Sequence, residues 1–252
     1  MNRTMNETAA AGARPVRRIL RAAVVATLAA LLLAPVASAK DEAVKAKDKE
    51  TERLEDALAV YQELRDMKDA EVPRPLLEDC RCVAVFPGVV KGALGFGGRR
   101  GHGVMTCRDS SGAWSAPAFL TLTGGSFGFQ IGVEKADVLL FFMTERGARS
   151  LTESKFTLGA KAGLAAGPVG RSAEAATDLK LGAEIYSYGR SKGAFAGISL
   201  EGARINADKS ANERAYDREI ETKEILFDRP ALQRTKAMDD FISALPRRDP
   251  ER

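Results

Sequence analysis

The chain has 252 residues, enough for one sizeable domain or two small ones, and its 38 basic and 34 acidic residues give a net charge of +4. Residues 1–39 hold five arginines and one glutamate, so the remainder of the chain is neutral overall. Within that remainder, residues 80–205 carry 15 basic and 9 acidic side chains. This local excess favours an anionic partner, and it lacks the interleaved aromatic residues expected of a nucleic-acid-binding domain.

Residues 1–39 have the pattern of a cleaved secretory signal. A basic segment precedes an uncharged run from Ala22 to Ala34, and the small residues that follow predict cleavage after Ala39. The run is too short to span a bilayer. The Arg17-Arg18 pair leaves twin-arginine export open beside the general secretory route. We therefore expect a periplasmic or secreted protein.

The segment after the signal predicts a tether and then a helix. Residues 40–50 are charged and lack large apolar side chains, which is typical of a mobile tether. From residue 51 onward apolar residues recur at helical spacing, and Pro73 and Pro75 end this pattern. The periodic residues are Leu54, Leu58, Tyr61, Leu64 and Met67. Because the polar face is rich in acids rather than lysines, the pattern favours packing on the domain over membrane insertion.

From Cys82 onward, short β-rich runs alternate with glycine turns. CVAVFP and GHGVMTC predict two strands, and the glycine-rich stretch between them predicts a tight corner of a sheet. SAPAFLTL and GSFGFQIGVE predict further strands, whereas ADVLLFFMT predicts a central strand or a buried helix. KFTLGAKAGLAAGPVGR alternates as one more strand, and the segment after it predicts a hairpin that turns at residues 190–193.

The C-terminal segment is expected to be helical, with a break at Pro230. No internal repeat or linker divides the chain. The sequence therefore predicts an α+β fold, namely a single glycine-rich, mainly antiparallel β domain flanked by an N-terminal helix and C-terminal helices. This domain with its flanking helices covers residues 51–245, and a tail follows at residues 246–252.

Three cysteines would reach an oxidising compartment after export. The simplest arrangement is one disulfide and one free thiol, with Cys107 bonded to either Cys80 or Cys82, and Cys82–Cys107 is the pairing that we take forward. A zinc site would need a fourth ligand, and His102 is the only histidine in the chain. We expect no metal and no cofactor.

Two glycine patterns resemble functional motifs without meeting their requirements. The stretch Val89–Met105 has neither the G-K-[ST] ending of a phosphate-binding loop nor the G-x-G-x-x-G spacing. Gly124–Gly128 matches the hydrolase pattern G-x-S-x-G, with Ser126 as the candidate nucleophile, but no histidine follows it in the chain. We therefore expect a non-enzymatic protein that binds no nucleotide, and a hydrolase centred on Ser126 is the least favoured hypothesis.

Several segments in order resemble the SYLF domain: VPRPLLEDCRCVAVFPGVVKGALGFGGRRGHGVM, then GSFGFQIGVEKADVLLFFM, then residues 155–208. The similarity extends from about Leu54 to Tyr216. It implies a non-enzymatic module that binds phospholipids with anionic head groups, such as the phosphoinositides bound by eukaryotic members, some of which also bind actin. For an exported protein the resemblance implies an anionic phospholipid membrane surface, with envelope proteins as the alternative partner. Arg81-Cys82 departs from the small or apolar residues usual in the family.

Cations in and after the glycine-rich stretch are the candidate ligands for a lipid head group. Several must act together, because each cation near an anionic surface contributes about 1 kcal/mol. The first group is Lys91, Arg99, Arg100, His102 and Arg108. The second group is Lys155, Lys161, Arg171, Arg190 and Lys192.

Overall fold

The first helix, α1 (48–66), is amphipathic and packs on the rest of the domain. Leu54, Tyr61 and Leu64 are buried in the core, which confirms the prediction that this helix packs on the domain. A second, short helix, α2 (Arg74–Asp79), begins directly after Pro73. The computed structural model describes residues 48–66, 72–152, 156–160, 162–169, 182–191 and 193–247. The predicted signal and most of the predicted tether lie outside these ranges.

Two very long strands, β1 (Cys82–Cys107) and β2 (Ala118–Phe142), pair antiparallel along almost their whole length. The prediction of two separate strands with a sheet corner between them was wrong, because β1 runs unbroken through the glycine-rich stretch. The pairing shifts register after Phe86 and after Ala93. Glycine lacks a Cβ and tolerates such bulges and bends, so the backbone changes direction without leaving the sheet. The apolar segment ADVLLFFMT is the end of β2 and is therefore a strand, one of the two alternatives.

Strand β1 curls so far that its two ends meet. Cys82 and Cys107, at opposite ends of the strand, have Cα atoms 4.0 Å apart and form a disulfide, as predicted. The Arg108 amide donates to the carbonyl of Arg81 at 2.7 Å, which joins the residues flanking the strand. A Cβ on Gly103 would lie 2.3 Å from the Val85 carbonyl oxygen. The curl therefore requires glycine where the strand approaches itself.

The remaining strands extend the free edge of β2. They are β3 (Phe156–Thr157), β4 (Leu164–Ala166), β5 (Ile185–Ser191), β6 (Ala194–Gly197) and β7 (Arg204–Ala207). The sheet order is β3-β7-β2-β5-β4, with β1 paired to β2 and β6 paired to β5. All pairs are antiparallel except β4 with β5.

Two sequence predictions for this region had different outcomes. The predicted hairpin is formed by β5 and β6, with Ser191 opposite Ala194. KFTLGAKAGLAAGPVGR was predicted as one strand, but a turn at 158–160 separates β3 from β4. Gly159 in that turn has φ +82°, a left-handed conformation that favours glycine.

The C-terminal segment is helical and broken near Pro230, as predicted. A short helix, α3 (Glu145–Arg149), follows β2. Helix α4 (Lys209–Tyr216) is capped by Asp208, whose side chain accepts from the amide of Ala211, and a π-helix follows at Glu224–Asp228. Arg229 then takes a left-handed conformation directly before Pro230. Helix α5 (Lys236–Ala244) closes the described chain. The α+β fold with a mainly antiparallel sheet and terminal helices is therefore confirmed.

Candidate anion-binding site

The candidate cations on β1 divide between two faces of the strand. Successive side chains of a strand point to opposite sides. Lys91 and Arg99 line a cleft between β1 and β6, which we call the β6 cleft. Arg100 and His102 line a cleft between β1 and α1, which we call the α1 cleft. These four predicted cations are thus divided between two clefts. The alternation of side chains along β1, with its period of two, was the sequence signal that could have separated the two pairs.

The β6 cleft combines cations with an apolar lining. Its volume is about 400 Å³. Lys91, Arg99 and Arg190 are its basic residues and Glu134 is its acidic one. The rest of the lining is apolar or small, comprising Val89, Ala136, Val138, Gly189, Ser191, Ala194, Ala196, Ile198, Ser199 and Leu200. A cleft of this kind suits a ligand with an anionic end and an apolar part.

Arg99 is a partly buried cation of the β6 cleft that has no acidic partner among the described residues. Among the described residues it forms no ion pair, and its only side-chain hydrogen bond runs from Nη1 to the Ser199 carbonyl at 3.4 Å. The buried Nε has no hydrogen-bond partner in this part of the chain. Burial lowers the pKa of the guanidinium from its ordinary value, since the charge has lost part of its hydration. An anion at the open side of the guanidinium would supply the missing countercharge.

The other two cations of the β6 cleft have acidic neighbours. Arg190 donates from Nε to Asp137 at 2.9 Å and also pairs with Glu63 of α1. Lys91 is exposed and lies directly across the β1–β2 ladder from Glu134. Arg190 is therefore held in place by two carboxylates, and Arg99 and Lys91 are the cations best placed to receive an anion.

The α1 cleft has a mixed charge pattern and a volume of about 570 Å³. His102 Nδ1 lies 3.4 Å from Oδ2 of Asp208, and Arg53 donates to the same oxygen at 3.1 Å. Burial opposes ionisation of Asp208, but the charge and hydrogen bond of Arg53, together with the Ala211 amide and His102, outweigh it and lower the pKa of the carboxyl. His102 and Arg53 are thus oriented by an internal carboxylate, while Arg100 is exposed at the edge.

Arg108 lies in the interior rather than in either cleft. Its Nη1 donates to the carbonyl of Glu78 at 2.6 Å and its Nη2 to the carbonyl of Leu77 at 2.9 Å, at the end of α2. The guanidinium also stacks 4.4 Å from the centre of the Trp114 ring. These contacts tie α2 to the loop between β1 and β2, which gives Arg108 a structural part. The remaining candidates, Lys155, Lys161, Arg171 and Lys192, lie outside the described residues.

The backbone around Ser126 differs from that of a hydrolase nucleophile. Strand β2 continues through Ser126, whereas a nucleophile elbow needs a strand, a sharp turn and a helix.

Within the described ranges, no three His, Cys, Asp or Glu side chains are grouped as metal ligands. No helix in those ranges combines the length and apolar character needed to cross a membrane.

Comparison with known proteins identifies the family. Residues 123–248 match the family Ysc84, described as Las17-binding protein actin regulator. LAS seventeen-binding protein 3 of Saccharomyces cerevisiae is 34% identical over 183 residues, which are 71% of this chain and 39% of that protein. Protein YSC84 of the same yeast is 37% identical over 164 residues, 64% of this chain and 35% of that protein. The human SH3 domain-containing YSC84-like protein 1 is 31% identical over 164 residues, 65% of this chain and 48% of that protein.

The chain therefore belongs to the Ysc84 (SYLF) family, as the ordered motifs in its sequence indicated. It spans less than half the length of these three relatives.

Proposed function

We propose that this chain is a non-catalytic domain that binds anionic phospholipid, with the head-group phosphate at Arg99 and Lys91 in the β6 cleft. The observation that carries the proposal is the state of Arg99, a partly buried guanidinium with an unpartnered Nε and no acidic partner among the described residues. A phosphate is the natural complement, because charge-assisted hydrogen bonds to a guanidinium are about twice as strong as neutral ones.

The apolar lining of the same cleft favours a lipid over a free inorganic anion. Ala194 and Ala196 are exposed in the β6 cleft and Ile198 is partly exposed there, while Val138 and Leu200 in the same lining are buried. A small anion would leave this surface in contact with water, whereas an amphiphile would cover it. The proposed setting is the cell envelope, since residues 1–39 have the pattern of a secretory signal.

Sedimentation with vesicles tests this proposal. We expect the purified protein to bind vesicles containing phosphatidylglycerol or cardiolipin and not neutral phosphatidylcholine vesicles, with affinity that falls as salt rises. Arg99→Ala should weaken binding about fivefold, which corresponds to roughly 1 kcal/mol for one cation at an anionic surface. Arg100→Ala is the matched control, because it removes the same charge from the opposite face of β1. Equal losses in the two variants would refute the site, and a wild type that never sediments would refute lipid binding.

A protein partner is the second candidate function, and the names of the relatives favour it. LAS seventeen-binding protein 3 is named for a protein that it binds. For this chain the corresponding partner would be an acidic envelope protein contacting Lys91 and Arg99. Pull-down from envelope extract freed of lipid by detergent, compared between wild type and Arg99→Ala, distinguishes the two functions. A partner retained by the wild type and lost by the variant would favour protein binding.

A further inference from the structure

The floor of the β6 cleft is more apolar than recognition of a head group requires. Val89, Val138 and Leu200 are buried there, and Ile198 is partly buried beside them. A phosphate held at the rim needs donors and charge only. In front of these buried side chains, Ile198 and the exposed Ala194 and Ala196 form an open apolar channel next to Arg99 that a bound head group alone leaves unfilled.

Strand β6 keeps this channel open through small side chains. Phe195 points into the core and is 3% exposed, while Ala194 and Ala196, on the other face of the strand, are exposed and line the cleft. The alternation follows from the period of two. Opposite them, Ala136 of β2 adds a further small residue. Alanine at these positions leaves a groove that any larger side chain would fill.

Resting on the proposed lipid-binding function, we propose that the β6 cleft takes one acyl chain. The ligand class is then a single-chain anionic amphiphile, with its head group at Arg99 and its alkyl chain along Ala194, Ala196 and Ile198. The cleft volume of about 400 Å³ is near the lower end of sites that hold small molecules, which suits one alkyl chain better than two. The protein binds a single molecule of this amphiphile from solution, without a bilayer. From a two-chain phospholipid, one chain enters and the other stays outside.

The charge pattern of the β6 cleft fixes the orientation of the bound acyl chain. Lys91, Arg99 and Arg190 lie with Glu134 among the polar lining, and Asp137 and Glu63 already neutralise Arg190. Among the described residues Arg99 and Lys91 form no ion pair, although Glu134 lies across the ladder from Lys91, and the head group therefore binds at these two cations. Burial of each methylene strengthens binding about fourfold, so affinity should rise with chain length until the channel is full.

A series of alkyl phosphates below their micelle concentrations tests the inference in the absence of any membrane. Calorimetric titration of the purified protein with octyl, decyl and dodecyl phosphate should give dissociation constants that fall by about fifteenfold per pair of methylenes and then level off. Inorganic phosphate is the chain-free reference. If all three alkyl phosphates bound no more tightly than inorganic phosphate, the inference would be overturned, because only the head group would then bind.

Variants that fill the groove with a large side chain provide a second test of the acyl-chain site. Ala196→Trp should abolish the dependence on chain length, and Ala194→Trp is a second variant at an exposed position that serves if the first fails to fold. Ala59→Trp, at an exposed position on α1, is the matched control and should behave as wild type. Unchanged binding in both groove variants would overturn the acyl-chain site. If wild type sediments with anionic vesicles but binds no alkyl phosphate, the inference fails and the proposed function stands. If it binds neither, both fail.

Discussion

Arg99 and Arg100 are consecutive in the chain, but Arg99 lines the β6 cleft and Arg100 lines the α1 cleft on the other face of β1. The excess of basic residues in the middle of the sequence is therefore not one continuous patch. A ligand held by Arg99 has no access to Arg100 through the strand. This separation makes the two arginines a sensitive pair for mutation, because they share their chemistry and their position in sequence.

Gly124→Ala should weaken binding to anionic vesicles by up to about fivefold, because it disturbs Arg99. Gly124 lies directly opposite Arg99 in the β1–β2 ladder. A Cβ at this position would lie 3.3 Å from Cγ of Arg99 and 3.2 Å from Cα of Ala203, so the arginine stem must shift. Gly125→Ala is the control, since its Cβ would meet nothing within 4 Å. Identical vesicle affinities for the two variants would contradict the placement of Arg99, provided that thermal unfolding shows both to be folded.

Gly103→Ala should destabilise the fold by about 1–3 kcal/mol or more, through overpacking where β1 approaches itself. The added Cβ would lie 2.3 Å from the Val85 carbonyl oxygen and 2.4 Å from Cδ1 of Phe86. Backbone cannot move aside as a flexible side chain can. Urea unfolding measures the change, again with Gly125→Ala as the unperturbed reference. A stability equal to that of the reference would show that the curl of β1 is looser than the structure describes.

Local patterns in the sequence predicted the elements whose contacts are local. The apolar positions of α1 recur at helical spacing, and the turn predicted at residues 190–193 marked the hairpin that β5 and β6 form. The continuity of β1 was not accessible in this way. A glycine that allows a turn and a glycine that allows a bulge look alike in sequence, and the choice depends on contacts such as Gly103 with Val85, which are distant in the chain.

The sequence identified basic residues of the candidate site but not how they are arranged in space. Charge alone selected Lys91 and Arg99 in one group and Arg190 in a second group, and the fold places all three in one cleft. Charge also selected Arg108, which is buried against Trp114. The apolar half of the cleft had no signal in the sequence, because the alanines on β6 have no evident role until the fold places that strand across the cleft from β1. Burial and pairing, which decide whether a cation is free to bind, are properties of the tertiary fold.

Removal of the Cys82–Cys107 disulfide should lower the free energy of unfolding by about 3 kcal/mol. The bond closes a sequence separation of 25 residues and ties together the two ends of β1. The double variant Cys82→Ser/Cys107→Ser, unfolded by urea beside wild type, measures the loss.

Cys80 provides the matched comparison for the disulfide. Burial raises the pKa of its thiol to about 12, so the native protein should resist alkylation at neutral pH. Cys80→Ser should therefore leave the disulfide intact. Detection of Cys80 in a disulfide by peptide mass mapping would contradict the pairing.

Asp208→Asn should lower stability at neutral pH by about 1 kcal/mol, and the difference from wild type should shrink as the solution is acidified. Arg53 holds the pKa of the Asp208 carboxyl below its ordinary value against the opposing effect of burial. A group with a lowered folded-state pKa stabilises the protein above its unfolded pKa of about 3.9, and this contribution is lost as pH falls through the folded-state pKa. The side-chain oxygen of asparagine can still accept the hydrogen bond that caps α4, so the variant removes only the negative charge. Urea unfolding between neutral and strongly acidic pH measures this, and a difference that stays constant with pH would show that the ion pair with Arg53 contributes nothing.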